Sequence, residues 1–464
     1  MFLIYYLTLT LSIIGYGFAL SKFFNLNFKN YGYFGFLGIS FLTLLSYITS
    51  PFFNHDYLFN IIVLISGLIL FIFNLKFESN LRNKIYELSV IFLILIIFIY
   101  VKKNHDDFGY YHFPYTYLLT QIEHPLGLGQ LNNGFRNHSS LFFLSSLFYL
   151  PGVSINLLHI APVYYLGFSN LIFLNFIRDK DIFSDIKFSN FFALLAFSFV
   201  NIFFYRLAEH GTDRSGMIIV LLLVLILTNI QNQKNKKINF NNIYFSCILL
   251  TLLISLKTYY IIYIPLVLYF LIDILKLNFF NIFKTKIFYY CFLFFSITIF
   301  YNFINSGCLI YPAAFTCFEN IYWTINKDTI HEVNIWYVLW SKAVASLNYV
   351  VDDRVQYIKN LNWVSNWIEN YFFNKVSDFL IGLIVLITIF YIFFKKYKKE
   401  NNRTSYMKFN ILFLIIIVYL IEWFFKHPAL RYGGYHLIVI LCFIPFCIWF
   451  SKLKINFEQF HKKS

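Results

Sequence analysis

The stretch Tyr57-Leu58-Phe59-Asn60-Ile61-Ile62-Val63-Leu64-Ile65-Ser66-Gly67-Leu68-Ile69-Leu70-Phe71-Ile72-Phe73-Asn74-Leu75 runs for 19 residues without an Asp, Glu, Lys, Arg or His. A bilayer core about 30 Å thick takes roughly 20 such residues as one α-helix, and hydrocarbon offers no partner to an exposed backbone amide. The stretch therefore predicts a membrane-spanning helix. The same reading works outward to segments near 2–21, 31–48, 86–101, 156–177, 188–205, 216–230, 243–256, 258–275, 287–304, 378–394, 409–425 and 435–450. Together these predict an all-α polytopic membrane protein of about thirteen spans. The first span has no basic residues ahead of it and no small-residue cleavage site, so it reads as a retained helix and not a signal peptide.

Composition points the same way. Of the 464 residues, 59 % are apolar, 23 % aromatic and 13 % charged, whereas a soluble domain carries about 25 % charged residues. That excludes a water-soluble enzyme, a disordered chain and a disulfide-dense secreted scaffold. A formal charge of +15 would suit nucleic acid, but no Lys- or Arg-rich run lies outside short connectors. The basic residues instead mark sidedness. Alternate connectors, at 22–30, 76–87, 178–187, 231–242, 276–286, 395–408 and 451–464, hold 24 of the 37 Lys and Arg. Basic residues are retained on the cytoplasmic side, which places the N-terminus outside and the basic tail 451–464 inside.

Two outer segments are longer than turns, at 102–140 and 305–377. The second is rich in aromatic residues, including Tyr322, Trp323, Trp336, Tyr337, Trp340, Trp363 and Trp367. Trp and Tyr favour the headgroup layer, so both segments are expected to lie along the membrane as short interfacial helices. With no internal repeat and no low-complexity linker, the chain reads as one domain. Cys247, Cys291, Cys442 and Cys447 fall in spans and read as apolar fillers. Cys308 and Cys317 share a short outer segment and predict a disulfide if that side is oxidising.

The chemistry-bearing stretch is Lys102-Lys103-Asn104-His105-Asp106-Asp107-Phe108-Gly109-Tyr110-Tyr111-His112, where a span emerges outside. Read from the residues, the acidic pair is either a solvated helix cap or the start of a site whose Tyr110, His112, Tyr115 and Tyr117 suit a sugar. Lys257 interrupts two apolar runs and reads either as snorkelling to the interface or as functional. The outer connector Tyr205–Arg214 holds Arg206, Glu209, His210, Asp213 and Arg214, more ionisable groups than a turn needs. It is either an internally paired turn or the lining of the same cavity. Arg431 lies in the string Phe425–Tyr435, and His105, His112, His138 and His427 are further acid–base candidates.

An acidic pair just after a span, opening a long outer loop with an aromatic helix behind it, resembles the GT-C superfamily of integral membrane glycosyltransferases. The resemblance covers 86–450 as helix count and loop order more than as residues. It leaves 1–85 as added N-terminal helices and lacks the C-terminal soluble domain of some members, so acceptor recognition falls to the loops. It implies transfer of a sugar from a polyprenyl-phosphate donor to a glycan, lipid or protein hydroxyl on the outer face of a bacterial inner membrane. Asp106 then serves as general base and Asp107 as its partner, or the reverse. One base suffices for inverting displacement. Lys257, Arg206, Arg214, His210 and Arg431 become candidates for the departing phosphate. Tyr110, His112 and Glu123 become candidates for sugar or acceptor contacts. Some members use a divalent cation such as Mg or Mn, for which Asp106, Asp107 and Glu123 would offer oxygen ligands.

Two other classes compete. A polymerase or ligase of lipid-linked glycans would use Arg and His of the outer loops. A non-enzymatic flippase or transporter would carry polar or broken helices near the midplane and pseudo-symmetric halves.

Overall fold

The computed structural model describes residues 1–75, 81–101, 107–153, 156–178, 187–207, 211–232, 236–275, 283–343, 351–395 and 407–452. The main helices are α1 (Phe2–Phe23), α2 (Tyr31–Thr49), α3 (Tyr57–Leu75), α4 (Leu81–Ile94), α5 (Ile96–Tyr100), α6 (Phe113–Gln121), α7 (Ser140–Ser146), α8 (Leu157–Arg178), α9 (Lys187–Phe203) and α10 (Gly211–Asn232). They continue as α11 (Lys236–Leu256), α12 (Ile264–Leu275), α13 (Lys286–Ser306), α14 (Lys327–Lys342), α15 (Arg354–Ile358), α16 (Val364–Trp367), α17 (Ser377–Phe394), α18 (Met407–Lys426) and α19 (Gly434–Phe450). Among the described residues there is no strand, only one isolated β-bridge between Cys308 and Cys317.

Eight described helical stretches are long and apolar enough to cross a membrane, against the thirteen spans expected. Phe188–Phe203, Phe240–Leu256, Thr258–Ile272 and Gly434–Phe450 are apolar but shorter. Two of these stretches have sharp boundaries with local causes. Lys257 adopts an extended conformation that separates α11 from the 3₁₀ turn Thr258–Tyr263 and α12, and Gly433 in the left-handed region starts α19 abruptly.

Contacts divide the chain into two compact units, Met1–Asn175 with Val200–His331, and Phe176–Phe199 with Glu332–Ser464. In the first unit α10 is buried on all sides, each residue from Met217 to Leu227 being at most 1 % exposed. A helix apolar all round belongs at the centre of a bundle. On α3, Leu58, Ile62, Ile69, Ile72 and Phe73 stay exposed, the pattern of a helix that faces lipid on one side. The close approach of α1 to α2 requires glycine: a side chain at Gly17 would run into the Phe34 carbonyl, and one at Gly38 into the Ile13 carbonyl. Gly17→Ala is therefore expected to push the two helices apart at a cost of about 1–3 kcal/mol, read as a lower unfolding temperature in detergent.

The second unit packs the Phe188–Phe199 part of α9 against α17 and α19. The Phe191 ring centroid lies 5.2 Å from that of Phe394 and 5.1 Å from that of Phe450.

Cys308 and Cys317 are joined as a disulfide, and the Leu309 amide donates to the Thr316 carbonyl at 3.1 Å across the same hairpin. Cys247, Cys291, Cys442 and Cys447 are free thiols. Alkylation of the denatured, unreduced protein is expected to modify these four thiols, and prior reduction to add two more, as counted by intact mass.

Candidate functional site

Polar groups of the first unit gather at one end of its helices. Asp213 lies in the first turn of α10, where backbone N–H groups favour an anion, and is 3 % exposed. Its carboxylate pairs with the Lys257 ammonium, whose side chain is 25 % exposed. The pair is reached because Lys257 sits at the break after α11 and Gly216, one turn beyond Asp213, leaves room for the Tyr260 ring against α10. Arg214 lies over the Phe204 ring, 4.4 Å from its centroid.

Beside the pair, Thr258 Oγ1 accepts from Asn302 Nδ2 at 3.3 Å, and Asn302 Oδ1 stands 3.1 Å from His138 Nδ1. With Asn302 Nδ2 committed to Thr258, Asn302 Oδ1 is the acceptor, which puts the His138 proton on Nδ1. One turn on, Asn305 Nδ2 donates to the Tyr115 hydroxyl at 3.0 Å, and that hydroxyl lies 3.0 Å from His124 Nε2. His55 Nδ1 meets Ser146 Oγ at 2.7 Å and its Nε2 meets Thr49 Oγ1 at 2.9 Å. Thus the last turns of α2 and α13, the start of α10, α6, α7 and the loop 122–139 share one polar layer. Arg136 is buried in it. Its Nε donates to the Gly129 carbonyl at 3.1 Å, and no carboxylate among the described residues stands within ion-pair distance.

Burial lowers the imidazole pKa of His55 and His138 to about 4. Burial, with His138 nearby, lowers that of His124 to about 3. All three are neutral at pH 7. Unfolded histidines take up protons near pH 6.5, so between that value and about 4 the unfolded chain binds more protons than the folded one. Stability is expected to fall as the pH is lowered through this window. A thermal unfolding series from pH 7 to pH 4 checks it, and His138→Gln is expected to make the fall shallower.

The remaining sequence candidates divide. Asp106, His105, Glu209 and His210 lie outside the described residues. Asp107 is half-buried and precedes the π-helical turn Phe108–His112. The Phe108 ring lies parallel to that of His159 in the first turn of α8, with centroids 5.7 Å apart. On the same face of α8, Pro162 fills the space next to Gly211, the first residue of α10. Phe108, next to Asp107, and Gly211, two residues before Asp213, therefore both pack against the beginning of α8. Arg206 is half-buried in this region. His112 is buried against Tyr111 and Phe142, with centroids 4.3 Å and 5.3 Å away. Tyr110 is exposed, its carbonyl accepting from Asn132 Nδ2 at 2.9 Å, and Glu123 is exposed. Arg431 belongs to the second unit, over the rings of Trp340 and Tyr432. Among the described residues no three His, Cys, Asp or Glu gather as metal ligands.

Sequence reasoning did not find the partnership of Asp213 with Lys257, nor Arg136, Asn302 and Asn305. Polar residues near the end of an otherwise apolar run were the available signal for the two asparagines.

Helices able to cross a membrane, with a buried polar layer at their ends, define an all-α membrane-embedded protein. Over residues 1–455 the chain matches a family model described as a domain of unknown function, DUF8201, and it belongs to that family. No curated protein and no solved structure matches it.

Proposed function

We propose that the protein is a glycosyltransferase of about thirteen membrane passes, moving a sugar from a polyprenyl-phosphate donor to a glycan, lipid or protein hydroxyl at the outer face of a bacterial inner membrane. The observation that carries this reading is the pairing of half-buried Lys257 with the buried Asp213 carboxylate, in a polar layer at helix ends, with Phe108, next to Asp107, packed on α8. On the sidedness that the basic connectors give, this layer faces outside. In this reading the four shorter apolar helices add passes to the eight longer ones.

In the reaction, the acceptor hydroxyl gives its proton to the Asp106 or Asp107 carboxylate while its oxygen bonds to the anomeric carbon. The bond from that carbon to the phosphate oxygen breaks, and its electron pair leaves with the phosphate. In this reading Lys257, Arg206 and Arg214 receive the developing negative charge. Because Asp213 already neutralises Lys257, that lysine serves the phosphate by exchanging partners.

The test is the wild-type protein reconstituted in liposomes with a sugar-labelled polyprenyl phosphate and a membrane extract as acceptor. Label leaving the lipid in step with release of polyprenyl phosphate is expected. An unconsumed donor, with the protein correctly inserted, would end the proposal.

A second reading, ligation of a lipid-linked glycan, is favoured by buried Arg136 with His124 and His138. Consumption of a lipid-linked oligosaccharide in place of the single-sugar donor would select it.

A further inference from the structure

The string Phe425–Tyr435 has no role in the centre proposed above, yet cations collect around it in the second unit. Lys426 ends α18, His427 and Arg431 follow in the turn, and Lys342 ends α14. Lys342 is 6 % exposed; its Nζ donates to the Ile358 carbonyl at 3.1 Å and stands 5.0 Å from the Trp363 ring centroid. Two residues earlier, Trp340 stands against both Arg431, at 5.3 Å, and Tyr432, at 5.5 Å between centroids. The His427 ring lies 6.0 Å from Tyr432.

The turn that presents these groups is fixed by buried donors. Trp367 Nε1 donates to the Pro428 carbonyl at 2.8 Å, Trp423 Nε1 to the Ala429 carbonyl at 3.0 Å, and the Leu430 amide to the Tyr371 hydroxyl at 2.9 Å. Preorganisation of this kind is what a binding site needs. Burial, then the charges of Lys342 and Lys426, lowers the pKa of His427 to about 4, and burial, then Lys426, lowers that of Lys342. Among the described residues neither lysine has a carboxylate within ion-pair distance, although Glu422, one turn before Lys426, feels its charge. Like charges gathered this way, one of them nine-tenths buried, are unfavourable unless an anion joins them.

We propose that Lys342, Lys426, His427 and Arg431 form an oxyanion site of the phosphate class, with Trp340 and Tyr432 as a platform for the ring or chain that carries the phosphate. Two lysines and a guanidinium supply the cationic donors that a phosphate takes, and the aromatic faces suit a sugar or an isoprenoid unit beside it. The site stands apart from the transfer reading, since phosphate binding is measured without any turnover.

The experiment is thermal unfolding of the full-length protein in neutral detergent, titrated with inorganic phosphate against chloride at equal ionic strength. Parallel samples sit in nanodiscs of phosphatidylcholine alone or with phosphatidic acid. Protection by inorganic phosphate, weakened at least tenfold in apparent affinity by Lys426→Gln or Arg431→Gln, supports a site open to soluble phosphate. Protection seen only with phosphatidic acid, and lost in the same variants, supports the same site with a lipid headgroup as source. Lys426→Gln carries a further signature: without phosphate it is expected to melt above the wild type, because repulsion from Lys342 is relieved, and with phosphate below it. Equal protection of wild type and both variants, or none in any arm, would overturn the proposal.

Discussion

Lys257→Met is expected to destabilise the first unit by at most about 3–5 kcal/mol, since it takes the ammonium partner from the Asp213 carboxylate, which is 3 % exposed. The value should fall toward the lower end, because the Lys257 side chain keeps a quarter of its surface in contact with the surroundings. The loss is mostly the desolvation of a buried carboxylate deprived of its ammonium partner and not the worth of the pair. Removing both charges in Asp213→Asn with Lys257→Met should therefore recover most of the stability. Unfolding temperature and the monodisperse fraction in detergent measure both effects. A snorkelling lysine would behave otherwise, its removal being near neutral and the double variant no better than the single one.

Asp106→Asn and Asp107→Asn are the second pair of changes, and here activity is the readout. Removing a general base costs about 10²–10⁴-fold in rate, so one of the two is expected to lower transfer by that factor with insertion and unfolding temperature unchanged. The other should lower it less, as a partner that positions the base. Asp107 is half-buried at the start of a π-helical turn, and the amide of Asp107→Asn keeps its size and shape. Normal turnover by both correctly inserted variants would remove the acidic pair from the chemistry.

The fold class was legible because hydrocarbon imposes a length on each helix, and Tyr57–Leu75 meets it with no ionisable interruption. Lys257 was legible as an anomaly between apolar runs, and the structure makes it the break between α11 and the turn that leads into α12. Its partner was not, because Asp213 lies 44 residues away and looks like one charge among five in a polar connector. Sequence periodicity says which face of a helix is apolar, but not which helix ends meet. The same limit hid Asn302 and Asn305, whose partners His138 and Tyr115 come from a segment more than 150 residues earlier. The Cys308–Cys317 pair was legible for the opposite reason: nine residues of separation leave little freedom in choosing partners.

Cations of the outer segments divide in the same way. The sequence offers Lys257 and, as a weaker candidate, Arg431 for the phosphate, and the chain assigns them to different units. One is neutralised by a buried carboxylate and the other rests on aromatic rings among further cations. Burial and pairing, which no one-dimensional reading supplies, separate the two.

The account rests on a lipid phosphate being received at the helix ends of the first unit. A photoreactive polyprenyl-phosphate analogue, cross-linked to the reconstituted protein and mapped by peptide mass spectrometry, tests that most directly. Adducts within 107–117, 204–216 and 257–263, abolished by excess unlabelled polyprenyl phosphate, are what the account predicts. Adducts confined to the exposed face of α3, or insensitive to the competitor, would contradict it.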